Sequence, residues 1–242
     1  MEKVILMMVT YNRLELTKKT LSSLEKTCNP FPDIVIVDNC STDGTVDYLI
    51  EFMKDKKGRL ILNADNEGIG KGRNQALWAA DQMGAEYYCT IDNDVELPVG
   101  WLEDCVGILK AAPQYGAIGV NFEPQSYPLV KVGDYEFQSK PQGNLGTACM
   151  VFGKKLHGAI GFFKVYGTYG LEDSDFGMRA RFFGFKLGYL KENGIHLGVG
   201  EYDTGEYRKW KTLEHDSRVQ EFRHNCVLYS QGKLPIYVSY KE

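Results

Sequence analysis

The chain has 242 residues, of which 43% are hydrophobic and 25% charged, with a formal net charge of −4. That composition belongs to a globular protein large enough to bury a core without disulfide or metal staples. The acidic balance argues against nucleic-acid binding. The six cysteines (Cys28, Cys40, Cys89, Cys105, Cys149, Cys226) include no Cys-x-x-Cys pair, so they read as reduced thiols of a cytoplasmic protein.

The first half of the chain alternates between strand and helix patterns. Val4–Val9 predicts a strand, and Leu14–Glu25 a helix with Leu16, Leu21 and Leu24 on one side. The apolar start at Met1 is short and lacks a cleavage site, so it reads as part of that strand and not as a signal peptide. Strands are expected at Ile34–Val37, Leu60–Leu62 and Tyr87–Ile91. Helices are expected at Val46–Met53, over Lys71–Met83 up to Gly84, and at Trp101–Ala111. This alternation predicts an α/β fold with a mostly parallel sheet.

The second half is punctuated by Pro124, Pro128, Pro141, Gly133 and Gly143. Short strands are expected near Leu129–Val132 and Tyr135–Gln138, and Thr147–Phe152 is expected to return to the sheet. A helix is expected at Ser174–Phe183. The polar tail from Asp203 to Gln231 reads as partly helical. No run reaches the length of a membrane span, which leaves docking on a membrane surface open. No linker or repeat divides the chain, so one domain is expected.

Asp92-Asn93-Asp94 follows the fourth expected strand. In extended chain Asp92 and Asp94 face the same way, and two adjacent carboxylates repel unless a cation stands between them. Such an oxygen-rich pair suits Mg²⁺ or Mn²⁺ bound together with substrate phosphates. A polar turn explains the triplet equally well. Asn66 to Asn74 opens a helix with evenly spaced Gly68, Gly70 and Gly72, which allow close backbone approach. Lys71 and Arg73 in its first turn oppose the helix dipole, as they would beside a diphosphate. Thr10-Tyr11-Asn12-Arg13 offers a stacking face and hydrogen-bonding groups for a nucleobase. Asp38 could take a base or ribose hydrogen, or simply cap the next turn. Glu172-Asp173-Ser174-Asp175 holds more acid than a helix cap needs, so one residue could act as general base. His196, between Ile195 and Leu197, is a metal-ligand candidate, whereas His157, His215 and His224 lack such a setting. Tyr207-Arg208-Lys209-Trp210-Lys211 could touch an acceptor or a membrane, although a solvated helix face explains it better.

Together these stretches resemble a family 2-type glycosyltransferase of the GT-A fold. The carrying residues are Val9 to Arg13, Val37 to Thr45, Asn66 to Asn74, Asp92 to Asp94, Leu171 to Asp175 and His196, and the likeness spans roughly residues 3–200. It implies a Rossmann-like sheet with a nucleotide-sugar half at 1–120, an acceptor half at 121–200 and an extension at 201–242. It also implies a nucleotide-sugar donor, UDP favoured, and a glycan or other hydroxyl acceptor. Thr10, Tyr11, Asn12, Arg13, Asp38, Asn39, Asn66, Gly68, Lys71, Arg73, Asp92 and Asn93 would form the donor site. Asp94 and His196, with Asp92 beside them, would hold Mn²⁺ or Mg²⁺. Asp173 would be the base of an inverting reaction, with Glu172 against acceptor or sugar. Many relatives carry two acids where this chain has Asp38-Asn39. The alternatives are a nucleotidyltransferase that makes a nucleotide-sugar, and a nucleotide-sugar binder without activity.

Overall fold

The computed structural model describes residues 2–198 and 205–240, except for the side chains of Tyr207 and Arg208. Asp203, where the polar tail was expected to begin, lies outside the described residues. The elements run β1 Val4–Thr10, α1 Leu14–Thr27, β2 Asp33–Asp38, α2 Thr45–Met53, β3 Gly58–Leu62, α3 Ile69–Gln82, β4 Tyr87–Asp92, β5 Val95–Glu96 and α4 Trp101–Ala111. They continue with β6 Tyr115–Asn121, β7 Leu129–Val132, β8 Tyr135–Lys140, β9 Cys149–Gly153, α5 Lys154–Ile160, α6 Glu172–Phe182, β10 Lys186–Asn193, β11 Ile195–His196 and α7 Gly205–Ser230.

Nine strands form one sheet in the order β3-β2-β1-β4-β9-β6-β10-β8-β7. The β3-β2-β1-β4 half is parallel, as the strand–helix alternation predicts. Beyond it the sheet is mixed. β9 lies antiparallel between β4 and β6, β10 is parallel to β6, and the β7–β8 hairpin completes the edge antiparallel to β10.

Side chains on a strand alternate faces, and both faces of this sheet are covered. Leu6, Met8, Ile34, Ile36, Cys89 and Ile91 pack on one side with Leu21 and Leu24 of α1, Leu49 of α2 and Trp101 and Cys105 of α4. Ile5, Met7, Val35, Val37 and Tyr88 pack on the other with Ala76 and Leu77 of α3, Leu156 of α5 and Phe176 of α6. Near-continuous apolar runs such as Val4–Val9 follow from this two-sided burial. α6 begins at Glu172, two residues earlier than expected, so the acidic residues form its first turn. Among the described residues no helix is long and apolar enough to cross a membrane, and all six cysteines are free.

Candidate active site

The mutually parallel strands β1, β2, β4, β6 and β10 all finish at one sheet edge, where β9 begins. A cleft of about 920 Å³ opens along that edge, where ligands of open α/β sheets bind. The only non-glycine residues with left-handed backbone among those described are Asn12, Arg13, Cys40 and Leu171, at φ 55, 63, 65 and 68°. All four stand in loops at this edge. Such conformations persist only where neighbours hold them. Asn12 is held twice, because its N–H donates to Ser41 Oγ at 2.7 Å and its Oδ1 accepts from Thr42 N at 2.8 Å. Leu171 makes the sharp entry that aims the first turn of α6 into the cleft.

Asp92 closes β4, and Asn93 and Asp94 form a turn, so the turn and the carboxylate site are one feature. Both acids border the cleft. The cations that relieve their repulsion come from elsewhere in the chain. Arg73 Nη2 lies 2.7 Å from Asp92 Oδ1, and Arg13 Nη1 lies 2.9 Å from Asp94 Oδ2. Asn93 borders the cleft too, but its Nδ2 is taken at 3.0 Å by each of the Thr10 and Thr17 hydroxyls. It anchors the turn, and its Nδ2 is not directed at a ligand.

Arg73 is buried and bridges two acids, since its Nη1 donates to Glu172 Oε1 while Nη2 serves Asp92. Burial pushes the Glu172 carboxyl up to about 7 against the pull of Arg73, and Asp173 pushes in the same direction. Glu172 Oε2 is buried without a hydrogen-bond partner, in a residue that lines the cleft. Buried oxygens are rarely left so unless a ligand completes them. Asp173 also lines the cleft, and its Oδ1 accepts the Ser174 N–H at 2.5 Å. Burial raises its pKa, opposed chiefly by Arg73. Asp175, the third acid of the cluster, turns inward to Arg179, Tyr166 and Tyr229.

The other expected donor residues divide clearly. Tyr11, Asn12, Arg13, Asn39, Asn66, Gly68 and Arg73 line the cleft together with Thr10. Tyr11 is 48% exposed, which leaves its ring face open for stacking. Asn39 spends its side chain on Gly68 O and Asn63. Asp38 and Lys71 do not border the cleft. Asp38 is buried and accepts from Ser41 N at 2.8 Å and Ser41 Oγ at 2.5 Å, the turn-capping role. Lys71 points to solvent and pairs with Glu67 at 2.8 Å. Residues two apart on a helix stand roughly 200° around its axis, so Lys71 and Arg73 could not both face one ligand. Sequence reasoning missed the far wall, where Asn121 ends β6, Phe122 and Glu123 follow it and Tyr189 stands on β10. Tyr169 and Trp210 pair at 5.7 Å across the mouth, with Lys211 5.1 Å above the Tyr169 ring. The Tyr207 and Arg208 part of that basic-aromatic stretch lies outside the described side chains.

Asp94 and His196 supply carboxylate and imidazole donors of the kind Mn²⁺ accepts. His196 Nε2 lies 3.8 Å from Asp94 Oδ1, brought there by pairing of β11 with β5. Among the described residues no group of three or more potential ligands gathers. The pair therefore fits a metal that takes its other ligands from substrate phosphate and water. His196 Nδ1 accepts the Gly198 N–H at 3.2 Å. In a neutral ring that puts the proton on Nε2, so ligation through Nε2 needs the other tautomer and the loss of this contact. Gly198 is close on the other side as well, because a Cβ there would stand 2.1 Å from Asp94 Oδ2. Gly198→Ala is therefore expected to displace the Asp94 carboxylate and weaken any Mn²⁺ binding at this pair about 10–100-fold, read by titrating Mn²⁺.

Carboxylates at the end of β4 and an acidic helix start meet at one cleft, as the resemblance to the GT-A fold implies. The profile of glycosyl transferase family 2 matches residues 5–173, and the chain belongs to that family. It is 32% identical over 86 residues to the putative teichuronic acid biosynthesis glycosyltransferase TuaG of Bacillus subtilis, covering 35% of this chain and 33% of that protein. It is 26% identical over 182 residues to the poly-beta-1,6-N-acetyl-D-glucosamine synthase of Staphylococcus epidermidis, covering 71% of this chain and 41% of the synthase. The chain thus spans well under half of these curated relatives. In structure it resembles the mannosyltransferase PcManGT of Pyrobaculum calidifontis, solved with GDP-Man and Mn²⁺, at TM-score 0.69 and 19% identity over 93% of this chain and 64% of that one. It also resembles S. aureus TarS 1-349 solved with UDP-GlcNAc, at TM-score 0.58 and 19% identity over 88% of this chain and 66% of that one.

Proposed function

We propose that this chain transfers a sugar from a nucleotide-sugar to a hydroxyl acceptor with inversion at the anomeric carbon. One observation carries the reading: Asp92, Asp94, Glu172 and Asp173 gather at a single cleft, with Arg13 on Asp94 and Arg73 bridging Asp92 to Glu172. The strand-end acids and arginines give the charge pattern for a diphosphate with its metal, and the α6 acids beside them give carboxylates for proton transfer. We assign the donor side to residues 1–120, the acceptor side to 121–200, and an extension to 201–242. The UDP-GlcNAc complex of TarS supports UDP as the nucleotide, while the GDP-Man complex of PcManGT keeps GDP in the screen. The free cysteines favour a cytoplasmic setting.

Tyr11 is assigned to stack on the base, Asp94 and His196 to hold Mn²⁺ or Mg²⁺, and Asp92 to face the ribose or sugar. When bound, the metal supplies a Lewis acid for the leaving diphosphate. Arg13 and Arg73 keep the carboxylate wall from repelling that anion. Glu172 Oε2, lacking a partner, is ready to accept a hydrogen from a sugar or acceptor hydroxyl. The acceptor oxygen attacks the anomeric carbon, the bond to the diphosphate oxygen breaks, and Asp173 takes the hydroxyl proton. Attack opposite the leaving group inverts the centre.

The test is a thermal-shift and turnover screen of UDP- and GDP-sugars with Mn²⁺. A true donor at about 100 times its Kd stabilises the fold by about 2.7 kcal/mol. We expect one donor class to shift melting, and excess chelator to abolish the shift. Full affinity in chelator removes the metal assignment. Pyrophosphate released from a nucleotide and a sugar phosphate would point instead to nucleotidyl transfer. Donor binding with neither transfer nor hydrolysis would leave only a binding protein.

A further inference from the structure

Helix α1 carries a row of hydroxyls, Thr17, Thr20, Ser23 and Thr27, and the first three are buried. The spacing of three and four residues places them on one helix face. The inward face of such a helix ordinarily takes apolar side chains. Here each hydroxyl accepts one hydrogen from a single stretch of chain. Asn93 Nδ2 donates to Thr17 Oγ1 at 3.0 Å, Val95 N to Thr20 Oγ1 at 2.9 Å, Leu97 N to Ser23 Oγ at 3.1 Å and Trp101 Nε1 to Thr27 Oγ1 at 3.3 Å.

That stretch has left the main sheet. β4 ends at Asp92, and among the described residues β5 has only the two-residue β11 as a strand neighbour. Extended chain with one strand partner turns alternate N–H groups outward, and buried ones must find acceptors elsewhere. The α1 hydroxyls take the place of a neighbouring strand. Asn93 and Val95 flank Asp94, so the residues on both sides of this carboxylate are fixed to one helix. A slip of one residue would carry Asp94 away from Arg13 and His196, which it meets at 2.9 and 3.8 Å.

We propose that the hydroxyl row of α1 is a positioning device: Thr20, with Thr17 and Ser23, sets the register that presents Asp94, and through the β5–β11 pairing His196, to the donor diphosphate. The inference rests on the proposed role of Asp94 in donor binding. Thr20 touches no substrate and acts only through the backbone on which Asp94 rides. It makes the helix that follows the first donor loop a ruler for the second.

The test compares Thr20→Val, which keeps the shape and removes the acceptor, with Thr20→Ser, which keeps the acceptor. Amide exchange at Val95 in metal-free protein is the first readout, and about a tenfold loss of protection is expected in the Val variant alone. The second is the Mn²⁺ concentration that half-saturates donor turnover. It should rise about 10–100-fold in Thr20→Val and return close to wild type in Thr20→Ser. A general loss of stability would lower the active fraction without moving the Mn²⁺ midpoint. A Thr20→Val protein with wild-type exchange and wild-type Mn²⁺ midpoint overturns the proposal. If Thr20→Val does not fold, Ser23→Ala is read by amide exchange at Leu97, whose N–H Ser23 accepts, and by the Mn²⁺ midpoint, and wild-type values for both overturn it. If the wild-type chain turns over no nucleotide-sugar, the functional reading fails, and unchanged Val95 exchange in Thr20→Val then overturns the device by itself.

Discussion

Asp173→Asn is expected to lower the transfer rate by roughly 10²–10⁴-fold, the usual contribution of a general base. Donor affinity should change little. Asn has the same shape and can still accept the Ser174 N–H that Asp173 Oδ1 accepts at 2.5 Å, but it cannot take a proton from the acceptor. Donor binding would survive because the residues proposed for the nucleotide come from other loops of the cleft. The pH profile gives an independent check. Burial raises the Asp173 pKa, and a base works only when deprotonated. The rate should therefore fall as pH drops through that raised value, at higher pH than an ordinary aspartate near 3.9 would give. Residual turnover in Asp173→Asn should lack that acid limb. Near-normal transfer by the variant would move the base to another residue, with Glu172 the first to examine.

The acids of the cleft could be read from sequence, but their partners could not. Asp92-Asn93-Asp94 and Glu172-Asp173 are short local patterns. The ion pairs from Arg13 to Asp94 and from Arg73 to Glu172 join residues 81 and 99 positions apart, and no local pattern records them. The three acids around Ser174 look alike in sequence, yet the phase of α6 sends Asp175 into the core and leaves Asp173 at the cleft. Asp38 resembles a ribose acceptor only until Ser41 is seen to occupy both of its oxygens.

In the fold, the parallel half was legible because two-sided burial writes continuous apolar runs between amphipathic helices. β6 and β10 escaped notice because glycines interrupt them, and glycine weakens a strand reading. The structure gives the reason for those glycines. A Cβ at Gly116 would meet Phe185 at 2.9 Å, and one at Gly188 would meet the Gln138 carbonyl oxygen at 2.8 Å. They are small because neighbours pack onto them. The short helix α5 and the two-residue strands β5 and β11 carry too few residues to show a period.

Arg179→Leu should be the most damaging substitution for stability, at about 3–5 kcal/mol, the cost of stranding a buried charge. Arg179 and Asp175 are both fully buried and paired one helical turn apart. Besides serving Asp175, Arg179 donates to the carbonyls of Ile160, Phe162 and Ile236. Asp175 also accepts from Tyr166 Oη at 2.8 Å and Tyr229 Oη at 2.9 Å, and Asn225 donates to Tyr166 Oη at 2.9 Å. This cluster joins α6 to α7 and to the segment after it, where Val238 bridges to Gly161. Residues beyond 200 match no familiar sequence pattern, yet the helix that carries Asp173 is tied to them. At roughly 2–4 °C per kcal/mol for a chain of this size, the melting temperature should drop by about 10 °C. Adding Asp175→Asn to Arg179→Leu removes the stranded charge, so the double variant should melt above the single one. If the two losses simply add, the pair does not act as a unit, and the link between the C-terminal segment and the helix that carries Asp173 must run through Tyr229 and Asn225 alone.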